Sequence, residues 1–167
     1  IMLVLMLNSG LRASEVSHLQ ISDLDLDASM PRILVRGGKK RRPDEVDEVI
    51  ISAKIAQVLK RWVRGKPTAL PVFSTSLDGT KPISRKGIWR AVKELVRRSR
   101  INAKASPHTL RHRFIMDEIE AAQQSGQSNV YFISRRARHR GVGATLTYFH
   151  IEEDKMRTHL EQRKDRT

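Results

Sequence analysis

A chain of 167 residues with 39% hydrophobic content can bury one proper core, and a single domain over residues 1–167 is the expectation. Its 32 Lys and Arg against 18 Asp and Glu leave a formal net charge of +14, an attractive field for a polyanion. Nucleic acid is therefore the first partner to consider, against the plainer reading of a solvated basic surface. The lack of cysteine excludes disulfides, thiolate metal sites and cysteine nucleophiles, and is compatible with a reducing cytosol.

The apolar opening Ile1-Met2-Leu3-Val4-Leu5-Met6-Leu7 has neither an initiator Met nor a leader pattern and is too short to span a membrane. It reads as the end of a buried helix, stopped at Ser9-Gly10 and cut from a longer protein that carries something before it. A second helix is expected over residues 12–19. Residues 32–36 and 46–51 are β-prone and flank Gly37-Gly38-Lys39-Lys40-Arg41-Arg42, which predicts a hairpin with a cationic tip. Ser52 can cap a helix whose apolar face is Ile55, Val58, Leu59, Trp62 and Val63, ending near Gly65. The turn-rich stretch that follows contains one short strand candidate at Val72-Phe73. Ser84 starts a further helix with Ile88, Val92, Leu95 and Val96 inward and Lys93, Arg97, Arg98 and Arg100 outward, able to lie along a phosphate backbone. Ser106-Pro107 is a cap followed by a first-turn proline, and predicts a helix over 108–122. A polar interruption at 123–129 precedes short helices over 130–138 and 143–148 and a polar helix over 152–163. The sum is an α+β domain, mostly helical, with a small antiparallel sheet in its N-terminal third.

Five places hold polar residues hard to explain as core or cap: Arg12, Lys39, the pair His108 and Arg111, His139, and Tyr148. His108 and Arg111 fall one turn apart at a helix start, where unpaired N–H groups, an imidazole and a guanidinium can meet a phosphate. The rival reading is an ordinary capped surface helix. His108 and His112 also have the i, i+4 spacing of helical zinc ligands, but Thr109 stands where the general-base Glu would be and Arg111 would set a permanent charge beside the ion, so no metal is expected.

Gly10-Leu11-Arg12-Ala13-Ser14-Glu15-Val16 resembles the G-L-R-x-S-E box of tyrosine site-specific recombinases of the phage-integrase type, and His108-Thr109-Leu110-Arg111-His112 resembles their H-x-L-R-H box. Val35-Arg36-Gly37-Gly38-Lys39 falls between them, where that family carries its hairpin lysine. Arg138-His139-Arg140, followed by Thr145, Tyr148 and His150, resembles the closing segment with its tyrosine nucleophile. The likeness covers nearly the whole chain. It departs where Ala137-Arg138 stands in place of Leu-Gly before the histidine, in the polar stretch at 123–128, and where Pro43-Asp44-Glu45 follows the basic tip.

The resemblance implies a helical catalytic domain that breaks and rejoins double-stranded DNA without a cofactor. Tyr148 would be the nucleophile and Arg12 and Arg111 the phosphate clamp. Lys39, or its neighbour Lys40, would be the acid on the leaving oxygen, with His108 an acid–base helper and His139 a donor to the phosphate. Tyr131 is the weaker competitor for Tyr148, and Glu15 is expected to orient Arg12 through an i, i+3 contact. Lys40, Arg41, Arg42, Arg97, Arg98, Arg135, Arg136, Arg138 and Arg140 are candidate phosphate contacts along the duplex. The family further implies self-association into a tetrameric synapse on DNA, with residues 152–163 either a helix docking on a neighbouring protomer or a frayed tail. A cytoplasmic, nucleoid-associated location and no membrane contact are expected. Two other classes stay open: a type IB topoisomerase-like enzyme using the same tyrosine chemistry, and a non-catalytic basic DNA-binding module.

Overall fold

The computed structural model describes residues 1–36, 46–100, 104–126, 130–138 and 141–148. The chain divides into two units, Ile1–Phe114 and Ile115–Thr167.

In the first unit, α1 (Met2–Ser9) buries Leu5 and Met6 and ends at Gly10, whose left-handed φ of 61° lets its N–H return to Met6 O at 3.0 Å. This is the glycine stop that the sequence signalled. The helix is not buried all round, however: Val4 is 47% exposed and Leu7 lies on the same open side. α2 (Ala13–His18) follows directly, and Val16 and Leu19 join the core.

A 3-10 turn (Ile21–Asp23) leads to the sheet, which runs in the order β1 (Leu24–Asp25), β2 (Arg32–Arg36), β3 (Val46–Ile50), both pairings antiparallel. The register sets Arg36 opposite Val46 and Ile33 opposite Val49. Period-two alternation turns Ile33, Val35 and Val49 inward, the pattern of a sheet covered on one face. The two-residue β1 is too short to leave an alternation in the sequence and was not anticipated.

α3 (Ala53–Val63) starts where Ser52 Oγ accepts from the Ile55 N–H at 3.4 Å, and it buries Ile55, Ala56 and Leu59. Its Trp62 stays at the rim, 39% exposed, with the indole N–H donating to Val72 O at 2.8 Å. Val72 and Phe73 are core residues but form no strand; isolated bridges pair Gln20 with Pro71 and Ser74 with Pro82. Around Gln20–Pro71 the Ile21 N–H donates to Leu70 O and the Val72 N–H to Leu19 O, both at 2.9 Å, but the Leu19 N–H turns back to Val16 O, so the pairing stays a single bridge instead of the expected strand.

α4 (Arg85–Ser99) is capped by Ser84 Oγ, which accepts from the Gly87 N–H at 3.0 Å, and buries Ile88 and Val92. Leu95, expected inward, is 54% exposed. Val96, one residue further along, is still half-buried, so the covered face of α4 narrows to the side of Val92 and Val96 and leaves Leu95 outside it.

α5 (Pro107–Gln124) opens with a reciprocal cap: the Thr109 N–H donates to Ser106 Oγ at 3.2 Å and the Ser106 N–H to Thr109 Oγ1 at 2.6 Å. Within the second unit its later turns bury Ile115, Met116 and Ile119. α6 (Val130–Arg136) buries Ile133 and is followed by a turn through Ala137 and Arg138, and residues 143–148 are helical. Arg136 Nε lies 2.6 Å from Glu118 Oε2, tying α6 to α5.

Candidate active site

Arg12 occupies the position just before α2, in extended conformation, and is held at two points by one carboxylate. Its backbone N–H donates to Glu15 Oε2 at 2.7 Å and its guanidinium Nη1 to Glu15 Oε1 at 2.8 Å. Glu15 is nearly sealed, its side chain 6% exposed, while the Arg12 side chain is 43% exposed. The carboxylate satisfies an unpaired N–H of the helix start and orients the guanidinium toward solvent at once.

Arg111 reaches the same turn from α5. It is buried, 6% exposed, and its Nη1 donates to Gly10 O at 2.5 Å. The acceptor in this bond is a neutral carbonyl. The structure thus brings both arginines to the Gly10-Leu11-Arg12 turn. His108 stands exposed in the first turn of α5, before Arg111 on the same helix.

Lys39, Lys40, Arg41 and Arg42 lie outside the described residues, as do His139, Arg140, His150 and residues 152–163. The last described residue of β2, Arg36, pairs through Nε with the buried Asp23 at 2.7 Å, which pins the strand end that leads to the basic tip.

On α4, Arg97 and Arg98 project outward as expected, but both bind Glu94: Arg97 Nη2 at 2.8 Å and Arg98 Nε at 2.7 Å meet its Oε1. Hydrogen bonds from these two arginines pull the Glu94 carboxyl down to about 2.

In the second unit, Tyr148 closes the helical residues 143–148 and is half-buried, whereas Tyr131 is 71% exposed on α6. The candidate phosphate contacts Arg135, Arg136 and Arg138 have three different surroundings. Arg135 is exposed, Arg136 is engaged by Glu118, and Arg138 is buried at 5% exposure in a left-handed backbone conformation of φ 52°. Arg138 occupies the place where the resembled family has glycine, so a tight turn persists with an arginine in it, and the conformation turns the side chain inward.

Gly10 was read as a helix stop and as the first residue of the arginine box, and Phe114 was not singled out, although Phe114 follows Arg111 by three residues and so shares its helix face. Among the described residues no group of three or more His, Cys, Asp or Glu could hold a metal ion. No described helix is long and apolar enough to cross a membrane.

A family model described as the phage integrase family matches residues 1–155. The tyrosine recombinase XerD of Staphylococcus aureus is 27% identical over 158 residues, covering 93% of this chain and 51% of that protein. XerD of Staphylococcus haemolyticus is 27% identical over 157 residues, with 93% and 50% covered. The chain therefore spans about half the length of these relatives. The crystal structure of XerA recombinase superposes with a TM-score of 0.69 at 25% identity, over 95% of this chain and 55% of that one. XerH site-specific recombinase bound to a palindromic difH substrate, a post-cleavage complex, gives a TM-score of 0.73 at 17% identity, over 95% and 44%, a likeness of fold.

Proposed function

The chain belongs to the phage integrase family, and from that premise we propose that it is the catalytic part of a site-specific recombinase that cuts and rejoins DNA through a 3′-phosphotyrosyl link at Tyr148. The observation that carries the reading is the convergence of Arg12 and Arg111, from the two arginine boxes, on one turn, Arg12 held by the Glu15 carboxylate and Arg111 by the Gly10 carbonyl.

Tyr148 Oη attacks phosphorus, a Tyr–O–P bond forms, and the bond to the 5′-oxygen breaks. The phenolic proton passes to His108, and Lys39, or Lys40, protonates the departing 5′-oxygen. Negative charge grows on the non-bridging oxygens of the crowded transition state. Arg12 and Arg111 stabilise it, with His139 as a further donor. The bond energy is kept in the phosphotyrosyl link, so a 5′-hydroxyl from another strand can reverse the step with neither ATP nor a cofactor. Relatives named as recombinases favour strand exchange over supercoil relaxation or passive binding. Double-stranded DNA is the substrate in this reading, with a tetrameric synapse as the assembly, residues 152–163 as the docking segment between protomers, and the nucleoid as the place of action.

The test begins by selecting, from randomised duplexes nicked near the centre, those that form detergent-resistant adducts with the chain. Two labelled copies of the selected site are then supplied together. Exchange of label between them, lost in Tyr148→Phe while DNA binding persists, is the expected result. Relaxation of supercoiled DNA without exchange indicates the topoisomerase-like enzyme, and binding without adduct indicates the passive module.

A further inference from the structure

Arg111 and Phe114, on one face of α5, close on the same glycine. The Arg111 guanidinium donates to Gly10 O at 2.5 Å. The Phe114 ring lies so near the Gly10 Cα that an added Cβ would fall 2.4 Å from Cδ1 and 2.7 Å from Cε1. Gly10 therefore meets two demands at once, a left-handed φ of 61° and the close approach of a ring, and no residue with a side chain satisfies both. Leu11 follows, fully buried, and then Arg12, fixed by Glu15. Leu11 alone separates the pinched glycine from the second arginine of the clamp.

We infer that the grip of Arg111 and Phe114 on Gly10 is a positioning device that sets the registry of Arg12 against Arg111. Gly10 and Phe114 are positioning residues for the phosphate clamp. The ring holds the distance between α5 and the turn, and the carbonyl holds the angle of the Arg111 guanidinium. This rests on the proposed role of the two arginines. A clamp displaced by a fraction of an ångström still attracts DNA, because affinity is spread over many cations, but it meets the transition state poorly.

The test uses the whole chain with Gly10→Ala, Gly10→Asn, Phe114→Leu and the double variant Gly10→Asn/Phe114→Leu. Three quantities are read: the side-chain NMR signals of Arg111, the single-turnover rate of adduct formation on the selected duplex, and DNA affinity. The wild type is expected to show resolved, slowly exchanging Arg111 Nη signals. Gly10→Ala and Gly10→Asn should both lose them and slow adduct formation at least tenfold, with affinity changed less than twofold. Asn tolerates the left-handed backbone, so its failure isolates the ring contact. Shortening the ring should return the Arg111 signal and much of the rate in the double variant. An unchanged Arg111 signal in both folded glycine variants, or no recovery in the double variant, overturns the inference. Should the glycine variants not fold, Phe114→Leu alone must loosen the Arg111 signal, and an unaltered signal there is equally fatal. If the wild type forms no adduct on any duplex, the recombinase reading fails, while the Arg111 signal still decides the positioning contact.

Discussion

At the scale of single residues, Arg138 carries a backbone conformation that L-residues resist. Its φ of 52° sits where glycine is at ease, and its side chain is buried, so strain and packing act in opposite directions. Replacing it by alanine keeps the strain and loses the packing, whereas glycine loses the same packing and relieves the strain, which is worth about 1 kcal/mol. Arg138→Gly should therefore melt roughly 3 °C above Arg138→Ala, a comparison that thermal unfolding reads directly. Equal melting temperatures would mean that the turn opens in solution. Glu15 offers a second prediction. It serves the N–H of Arg12 and its guanidinium with one carboxylate, so Glu15→Gln should cost about 1 kcal/mol of stability as a weakened helix start. Adduct formation should fall further than stability, by about tenfold, since a 1.4 kcal/mol error in transition-state contact has that effect.

Among the elements, α4 holds the clearest electrostatic device. Glu94 engages Arg97 and Arg98 together, and its carboxyl titrates at about 2 instead of the ordinary 4.5. A folded value below the unfolded one means that this interaction favours the fold above about pH 4.5 and is lost as pH falls toward 2, so the clamp is fully present at neutral pH. Glu94→Gln should release both arginines to phosphates. The expected result is tighter non-specific DNA binding and a plot of log affinity against log salt steeper by roughly 0.9 to 1.8, one increment for each added phosphate contact. An unchanged slope would place α4 away from the duplex.

The elements also show what a sequence can carry. Ser52, Ser84 and the Ser106-Pro107 pair marked three helix starts because capping is local chemistry, and Gly10 marked a stop for the same reason. The β2–β3 hairpin was legible from two β-prone runs around a glycine-basic tip. Val72-Phe73 misled because an apolar pair in a buried loop looks like a strand, while the facing segment at Leu19 spends its N–H on the end of α2. Leu95 misled because angular periodicity does not say how wide the covered face of a helix is. Within the site, the arginines and the Glu15 contact were legible from boxes and i, i+3 spacing. The closure of Phe114 on Gly10 was not, since it joins residues far apart in sequence and depends on the packing of α5.

For the molecule as a whole, a formal charge of +14 is an attractive field for a polyanion, and in the proposed reading the two held arginines and the tyrosine carry the chemistry. Binding should weaken steeply with added salt for any duplex, and Tyr148→Phe should leave that dependence intact. Covalent joining of Tyr148 to DNA separates a recombinase from a passive DNA binder. The most direct measurement is mass spectrometry of the peptide that remains linked to a selected, nicked duplex after denaturation and proteolysis. A 3′-phosphonucleotide is expected on the peptide carrying Tyr148 and is expected to be absent from Tyr148→Phe. A link at Tyr131, or cleaved DNA with no attached peptide, would contradict Tyr148 as the nucleophile.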